Sequence, residues 1–355
     1  MNPTPAIKIT LTIHHLLVDN ALALLERLQT PYVLTQPARA SILKKNHNFL
    51  LPHKKMRIVD ELAQIIQFYV PTSMEILCFQ LLINELDLLL PGRGSIYSEE
   101  VNLYYTPSRL SWEGMLKLDL TTLINPNDMN TSIKSILSTQ LQGITLICNR
   151  DASSPICETL LSHGYPAPII SYGRGTGTRE RMGLLRITNS PEKEIATLAV
   201  YYKDLPTVLS LLYDLAQLHL PGKGFLFSYP IRYAKMNTRT HLEATVQLAS
   251  MDQVISAIDG IKGDVDWRRK TTTDYISPNH NHAPQNLTNF TFLGERGLTQ
   301  TLPSKAIALG AKGATISRKT LYCYCSNMAH AHEHHTSHER ESCSITVPST
   351  VGQDL

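Results

Sequence analysis

No apolar run in this chain is long enough to cross a bilayer: the longest, such as Ile76 to Ile83, fall far short of the roughly 20 residues a membrane helix requires. The start, Met1 to Pro5, has no basic residues leading into an apolar block, so no export signal is read and the chain is expected to be cytoplasmic and not membrane-spanning. An excess of one charge is missing too. With 33 Lys and Arg against 30 Asp and Glu, evenly scattered, a net charge of +3 gives no electrostatic ground for a nucleic-acid partner. Cysteines number six, and Cys78, Cys148 and Cys157 stand singly in apolar contexts, as small core residues do. What the chain has is length and apolar content: 355 residues, 43% hydrophobic and 18% charged, enough for two or three globular domains of about 100 to 200 residues each.

Internal repetition organises that length. Ile65 to Gly94 reads as apolar strand, apolar-periodic helix and a Pro-Gly-Arg-Gly turn, and Ala196 to Gly224 repeats the pattern, ending Pro-Gly-Lys-Gly. Thr72 and Glu75 have capping-box spacing, and Asp204 stands before Pro206, so both helices have start signals. Short runs rich in β-formers follow, Ser95 to Val101 and Phe225 to Ile231. A second repeat relates Gly143 to Ser171 with Asn289 to Ser317: Thr145 pairs with Thr291, Arg150 with Arg296, Gly164 with Gly310 and Ile170 with Ile316. Gly164 and Gly310 fall where a helix ends in positive φ. Ile7 to Ile42 is a degenerate copy that keeps a strand at Ile7 to Ile13, a helix at Leu17 to Leu28 and a strand after Pro31.

Joined, the two halves give β-α-β-β-α-β, so the expected class is α+β, built of repeated ferredoxin-like units. The expected division is a degenerate unit at 7–105, an inserted arm at 106–141, a second unit at 142–235 and a permuted or incomplete third unit at 241–355. Within the arm, Met115 to Leu120 is strand-like and Asn130 to Gln140 helix-like. In the third unit, Glu339 to Val347 echoes Glu192 to Val200, and Leu242 to Arg269 resembles a displaced second half.

Three turns stand out as phosphate binders: Gly92, Arg93 and Gly94 after Pro91; Gly222, Lys223 and Gly224 after Pro221; and Lys262 between Gly260 and Gly263. Glycines let successive amides converge on an anion while the Arg or Lys adds charge, although a single such turn is also an ordinary chain reversal. A fourth candidate is Gly173, Arg174, Gly175, Thr176 and Gly177, with donors and little bulk. These motifs, with Glu192 to Ile195 and Gly310 to Ile316, resemble the PII signal-transduction family over roughly two thirds of the chain. The resemblance implies three ferredoxin-like units around an axis, here an intrachain pseudo-trimer, with ATP, ADP or AMP in clefts between units. It implies Lys223 in a phosphate-contacting loop, Gly173 to Gly177 at the base of a loop touching a regulated membrane transporter or metabolic enzyme, and no catalysis.

The last cluster is Cys323, Cys325, His330, His332, His334, His335, His338 and Cys343, a His/Cys-rich loop at 322–343. Thiolates and imidazoles suit Zn, Cu or Ni, and alternate histidines on one extended segment converge on one ion. A metal-responsive protein of copper-tolerance-like fold is therefore the alternative to the nucleotide reading, with a plain polar loop as the third possibility. An enzyme is not read, because the repeats carry no carboxylate pair and no Ser-His-Asp or Cys-His arrangement. Both a monomeric pseudo-trimer and a homo-oligomer fit.

Overall fold

The computed structural model describes residues 3–45, 56–105, 111–118, 133–176, 192–237, 241–242, 286–297, 301–308, 311, 313–324 and 337–349. The first unit is β1 (Thr4–His14), α1 (Val18–Arg27), β2 (Val33–Lys45), β3 (Met56–Val70), α2 (Glu75–Glu85) and β4 (Gly94–Leu103). Its sheet runs β4-β1-β3-β2, all antiparallel. Strand β1 shows why: Ile7, Ile9, Leu11 and Ile13 are buried and pack in the cluster that holds Ala21, Leu24 and Leu25 of α1 and Phe79 and Leu82 of α2. The alternate residues Lys8, Thr10 and Thr12 face the other way, into a cavity. Both faces are covered, one by an apolar layer and one by a polar interior.

After a helical turn, α3 (Glu113–Leu116), the second unit repeats the plan as β5 (Leu141–Asn149), α4 (Ser153–Ser162), β6 (Ile169–Thr176), β7 (Glu192–Tyr201), α5 (Leu205–Leu215) and β8 (Gly224–Pro230), in the order β8-β5-β7-β6. Two short strands follow, β9 (Ala234–Lys235) and β10 (His241–Leu242). The third unit contributes β11 (Leu287–Gly294), α6 (Thr301–Ala308), β12 (Ala314–Tyr322) and β13 (His338–Pro348), in the order β11-β13-β12. Ladder register reproduces the sequence repeat residue for residue. Thr10 lies opposite Gln67, Thr145 opposite Thr197 and Thr291 opposite Ser344. Ile170 lies opposite Ala196 and Ile316 opposite Cys343. The first helix of every unit also ends on one bond type, Thr30 N to Leu25 O, Tyr165 N to Leu160 O and Ala311 N to Ala306 O, at 3.1, 2.9 and 2.9 Å.

The second strands join the units. The start of β2 (Val33 to Thr35) pairs the end of β12, the middle of β2 (Ala38 to Ala40) pairs the start of β6, and the end of β6 (Arg174 to Thr176) pairs the start of β12. Each unit thus gives one end of its second strand to each neighbour, head to tail, and the ring closes within one chain. Separate apolar clusters lie in the three units, holding Phe79, Leu160 and Ile345 respectively.

The structure corrects three sequence expectations. Residues 115–118 of the arm are not strand: Met115 turns into the first unit's core, Trp112 Nε1 donates to Tyr69 O at 3.2 Å, and Leu116 N to Trp112 O at 2.9 Å. A strand there would need a sheet edge, but β9 pairs β4 on one side of the first unit and β6 and β12 pair β2 on the other. At 133–135 the expected helix is a single 3-10 turn. Glu75 does not return to cap its own helix, because it is buried and engaged by Ser98 and Arg232. The proposed displaced half at Leu242 to Arg269 lies, beyond Leu242, outside the described residues, and no helix among the described residues is long and apolar enough to cross a membrane.

Candidate functional site

Both glycine turns follow the same backbone path. Helices α2 and α5 run out through Asp87 and Gln217, each in positive φ (51° and 53°), and the chain reverses through Gly92 and Gly222 at φ 86° and 78°. The turn bonds match as well: Leu90 N to Asp87 O and Leu220 N to Gln217 O, then Arg93 N to Leu90 O and Lys223 N to Leu220 O. Gly94 and Gly224 have a steric reason, since a Cβ there would lie 2.2 Å from Thr12 O and 2.1 Å from Ile147 O. The second glycine of each turn therefore serves the strand crossing. What remains for chemistry is the first glycine's amide and the basic side chain.

Those two groups differ between the units. In the first, Gly92 N donates to Asn237 Oδ1 at 2.9 Å, and Asn237 N donates to Ser95 Oγ at 2.9 Å, so the turn already holds an oxygen acceptor brought by the second unit's tail. Arg93 Nη2 donates to Asp87 Oδ2 at 2.9 Å. In the second, Gln217 stands where the first has Asp87 and Phe225 where it has Ser95. Among the described residues the Gly222 amide has no hydrogen-bond partner and Lys223 no ion pair. The first turn is satisfied from within and the second is open.

Gly173 to Thr176, read from sequence as a loop base, are strand residues of β6. The missing side chain of Gly173 admits the neighbouring unit, since a Cβ there would stand 3.0 Å from Ile316 O and 3.1 Å from Thr315 Cγ2, whereas one on Gly175 would meet Lys193 Cε of its own unit at 3.0 Å. Arg174 is exposed at this seam between the second and third units. In the second sheet β6 and β8 are opposite edges, three strand spacings or about 14 Å apart, so Gly173 to Thr176 and the Gly222 turn do not adjoin within one unit. Gly177 and Lys262 lie outside the described residues.

Of the proposed metal ligands, Cys323 and His338 are described, while Cys325, His330, His332, His334 and His335 are not. Leu321 pairs with His338 across β12 and β13, so Cys323 and His338 come to the same end of that hairpin. Cys343 belongs to the third unit's apolar cluster instead, fully buried, and burial pushes its thiol up to about 11. Strand parity decides this, since Cys343 shares a face with Ile345 and Val347. No group of three or more potential ligands assembles among the described residues. Burial likewise raises Cys148 to about 12 and Cys157 to about 11, which leaves both thiols unreactive near neutral pH.

Sequence reasoning missed two ionic clusters, each built on a buried carboxylate, Glu194 and Glu75, that fasten units together. Arg39 of β2 reaches Asp60, Ser153 Oγ (2.6 Å) and Glu194 Oε1 (3.1 Å), and Glu194 also accepts from Ser153 N at the start of α4 (3.0 Å). Burial works against the Arg39 charge, yet the hydrogen bond and charge of Asp60 outweigh it and hold the guanidinium firmly protonated. Arg232, from the second unit's tail, reaches Glu75 (3.1 Å) and Glu100, while Ser98 Oγ donates to Glu75 at 2.6 Å. An arginine inside an otherwise small-residue strand and a glutamate in the first turn of an apolar helix were the available signals.

Fold and site together define an α+β protein of repeated β-α-β units, its ring closed within one chain, with one glycine turn filled from within and one without an acceptor among the described residues. No protein-family model matches the chain, and no curated protein matches it. Among solved structures it is similar to the PII-family protein GlnK of B. subtilis in complex with ATP, at 15% identity, over 27% of this chain and 84% of that one, with a TM-score of 0.24. At that score the likeness carries no weight for function.

Proposed function

We propose that the protein is a non-catalytic, nucleotide-responsive regulator that binds the phosphates of an adenine nucleotide at Gly222 and Lys223. The observation that carries this reading is the contrast between the two turns. The first shows what the geometry does, by aiming the Gly92 amide at the oxygen of Asn237. The second leaves the same amide open beside a lysine with no carboxylate partner among the described residues. A phosphate oxygen would complete the amide, and Lys223 would neutralise it. The first turn, filled by Asn237, is assigned a structural role. Nucleotide occupancy would then change the protein's affinity for a membrane transporter or metabolic enzyme, by as much as the nucleotide prefers one arrangement of the chain over another.

Calorimetric titration of metal-free protein with ATP, ADP and AMP tests this, repeated for Lys223→Ala. One charge-assisted phosphate contact contributes about 1.5–3 kcal/mol, so the variant is expected to bind roughly tenfold or more weakly. No saturable heat, or the same affinity in Lys223→Ala, rejects the reading. A second reading, metal binding at the 322–343 loop, is favoured by Cys323 and His338 reaching the same hairpin end. Emission spectrometry on tag-free protein is then expected to find Zn, Cu or Ni at about one ion per chain, and metal-free protein would remove it.

A further inference from the structure

The inner faces of the sheets enclose a cavity of ≈ 510 Å³ between the units, within the range of about 300–1,000 Å³ typical of small-molecule sites. Register makes its wall a set of polar rings. Thr10, Thr145 and Thr291 occupy one equivalent position, and the residues opposite them, Gln67, Thr197 and Ser344, a second; all six line the cavity. An ordinary sheet interior would place apolar side chains here. Hydroxyls and an amide at repeated positions instead offer donors and acceptors to something polar.

Charge breaks the threefold pattern at defined points. At the position of Ala38 in β2 and Gly173 in β6, strand β12 carries Lys319, so a cation stands in the third unit where the other two have small, uncharged residues. Its ammonium donates to Gln67 Oε1, and no carboxylate pairs with it among the described residues. The second cavity lysine, Lys8, is matched: Glu99 lies 2.8 Å away. Burial opposes the Lys8 charge, but Glu99 outweighs burial and holds Lys8 above its ordinary value. The remaining ionisable groups facing the cavity among the described residues are His14, Glu61 and Glu100, and the buried Tyr97 and half-buried Tyr69 and Tyr229, whose hydroxyls burial keeps protonated. Glu61 is six residues from Gln67 along β3, about 20 Å, and Glu100 is engaged by Arg232. Arg340 stands opposite Lys319 on β13 but does not line the cavity; among the described residues deep in the cavity Lys8 and Glu99 cancel, and Lys319 is the charge with no carboxylate partner.

We infer that this cavity binds a small organic monoanion, a carboxylate bearing a hydroxyl or keto group, with Lys319 as its counter-charge and the threonine and serine rings as its hydrogen-bonding wall. One net positive charge matches one carboxylate, and the surrounding hydroxyls match a polar substituent rather than an alkyl chain. Without an anion, burial and then the nearby Lys8 charge push the Lys319 ammonium down to about 7. An anion beside it restores the charge, so binding near neutrality takes up a proton. The site is separate from the Gly222 turn, and either can stand without the other.

Calorimetry with lactate as probe, and acetate as the analogue lacking the hydroxyl, tests the inference on the full chain at pH 6.5 to 8.5. Lactate is expected to bind with a Kd of about 1 mM or tighter, acetate more weakly, and lactate affinity to fall by up to about tenfold per pH unit above pH 7. Lys319→Met is expected to abolish binding and Lys319→Arg to restore part of it. No saturable binding at about ten times that concentration overturns the inference. Equal affinity in Lys319→Met, or affinity in the wild-type protein that does not change with pH, overturns it too, the last without needing a variant to fold.

Discussion

Arg232 shows how much a single side chain carries in this molecule. Glu75 is 2% exposed, and its partners are Ser98 within its own unit and Arg232 from the next. Removing the arginine leaves a buried carboxylate with one neutral hydrogen bond, which costs about 3 kcal/mol or more, whereas Glu75→Gln keeps a neutral acceptor for Ser98 and costs less. Urea denaturation of Arg232→Ala and Glu75→Gln is expected to rank them in that order, and the reverse order would contradict the role given to the pair. Lys319 makes a prediction of opposite sign. Its folded ammonium sits at about 7 against an ordinary 10.5, so from about pH 7 upward the unfolded chain binds more protons and stability rises with pH. Thermal melts of Lys319→Met are expected to lose that rise and to gain stability most below pH 7. Single residues also mark where the sequence misled. Glycine at 164 announces a helix end, but the first unit reaches the same positive φ with Gln29, at 50°, which is why that unit looked degenerate while folding like the others.

At the scale of elements, strands and helices were legible wherever one residue type repeats with one period. The alternation of β1 and the doubled helix-turn pattern before Gly94 and Gly224 correspond to observed elements within a few residues. What stayed hidden was which elements meet. The glycines of 173–175 read as a ligand-approaching segment at the base of a loop because sequence does not reveal that another unit's strand lies against them, and Met115 read as strand because nothing local says that both sheet edges beside it are occupied. The turns divide the same way: Gly94 and Gly224 answer to a carbonyl 2.2 and 2.1 Å from where a Cβ would stand, and only structure separates them from their neighbours Gly92 and Gly222. Gly224→Ala is therefore expected to lower stability by about 1–3 kcal/mol through backbone displacement at the β5–β8 crossing, a loss readable in a denaturant midpoint. A midpoint equal to wild type would show that the strand crossing tolerates a side chain.

Across the whole molecule, the repeat makes three similar units and the second strands make them one. Because each unit's second strand pairs with both others, the ring uses those edges up inside a single chain. We expect sedimentation velocity to give a monomer near 39.7 kDa, and a stable trimer of chains would contradict a ring closed from within. Closure from repeated but diverged units also makes the sites unequal, which is the central functional claim: one turn is filled by Asn237, and the other has no acceptor on its Gly222 amide among the described residues. The most direct test is the stoichiometry of ATP binding in the wild-type, Arg93→Ala and Lys223→Ala proteins titrated side by side. One nucleotide per chain, unchanged by Arg93→Ala and lost in Lys223→Ala, is the expected result; equivalent sites at both turns, or a single site that depends on Arg93, would contradict it.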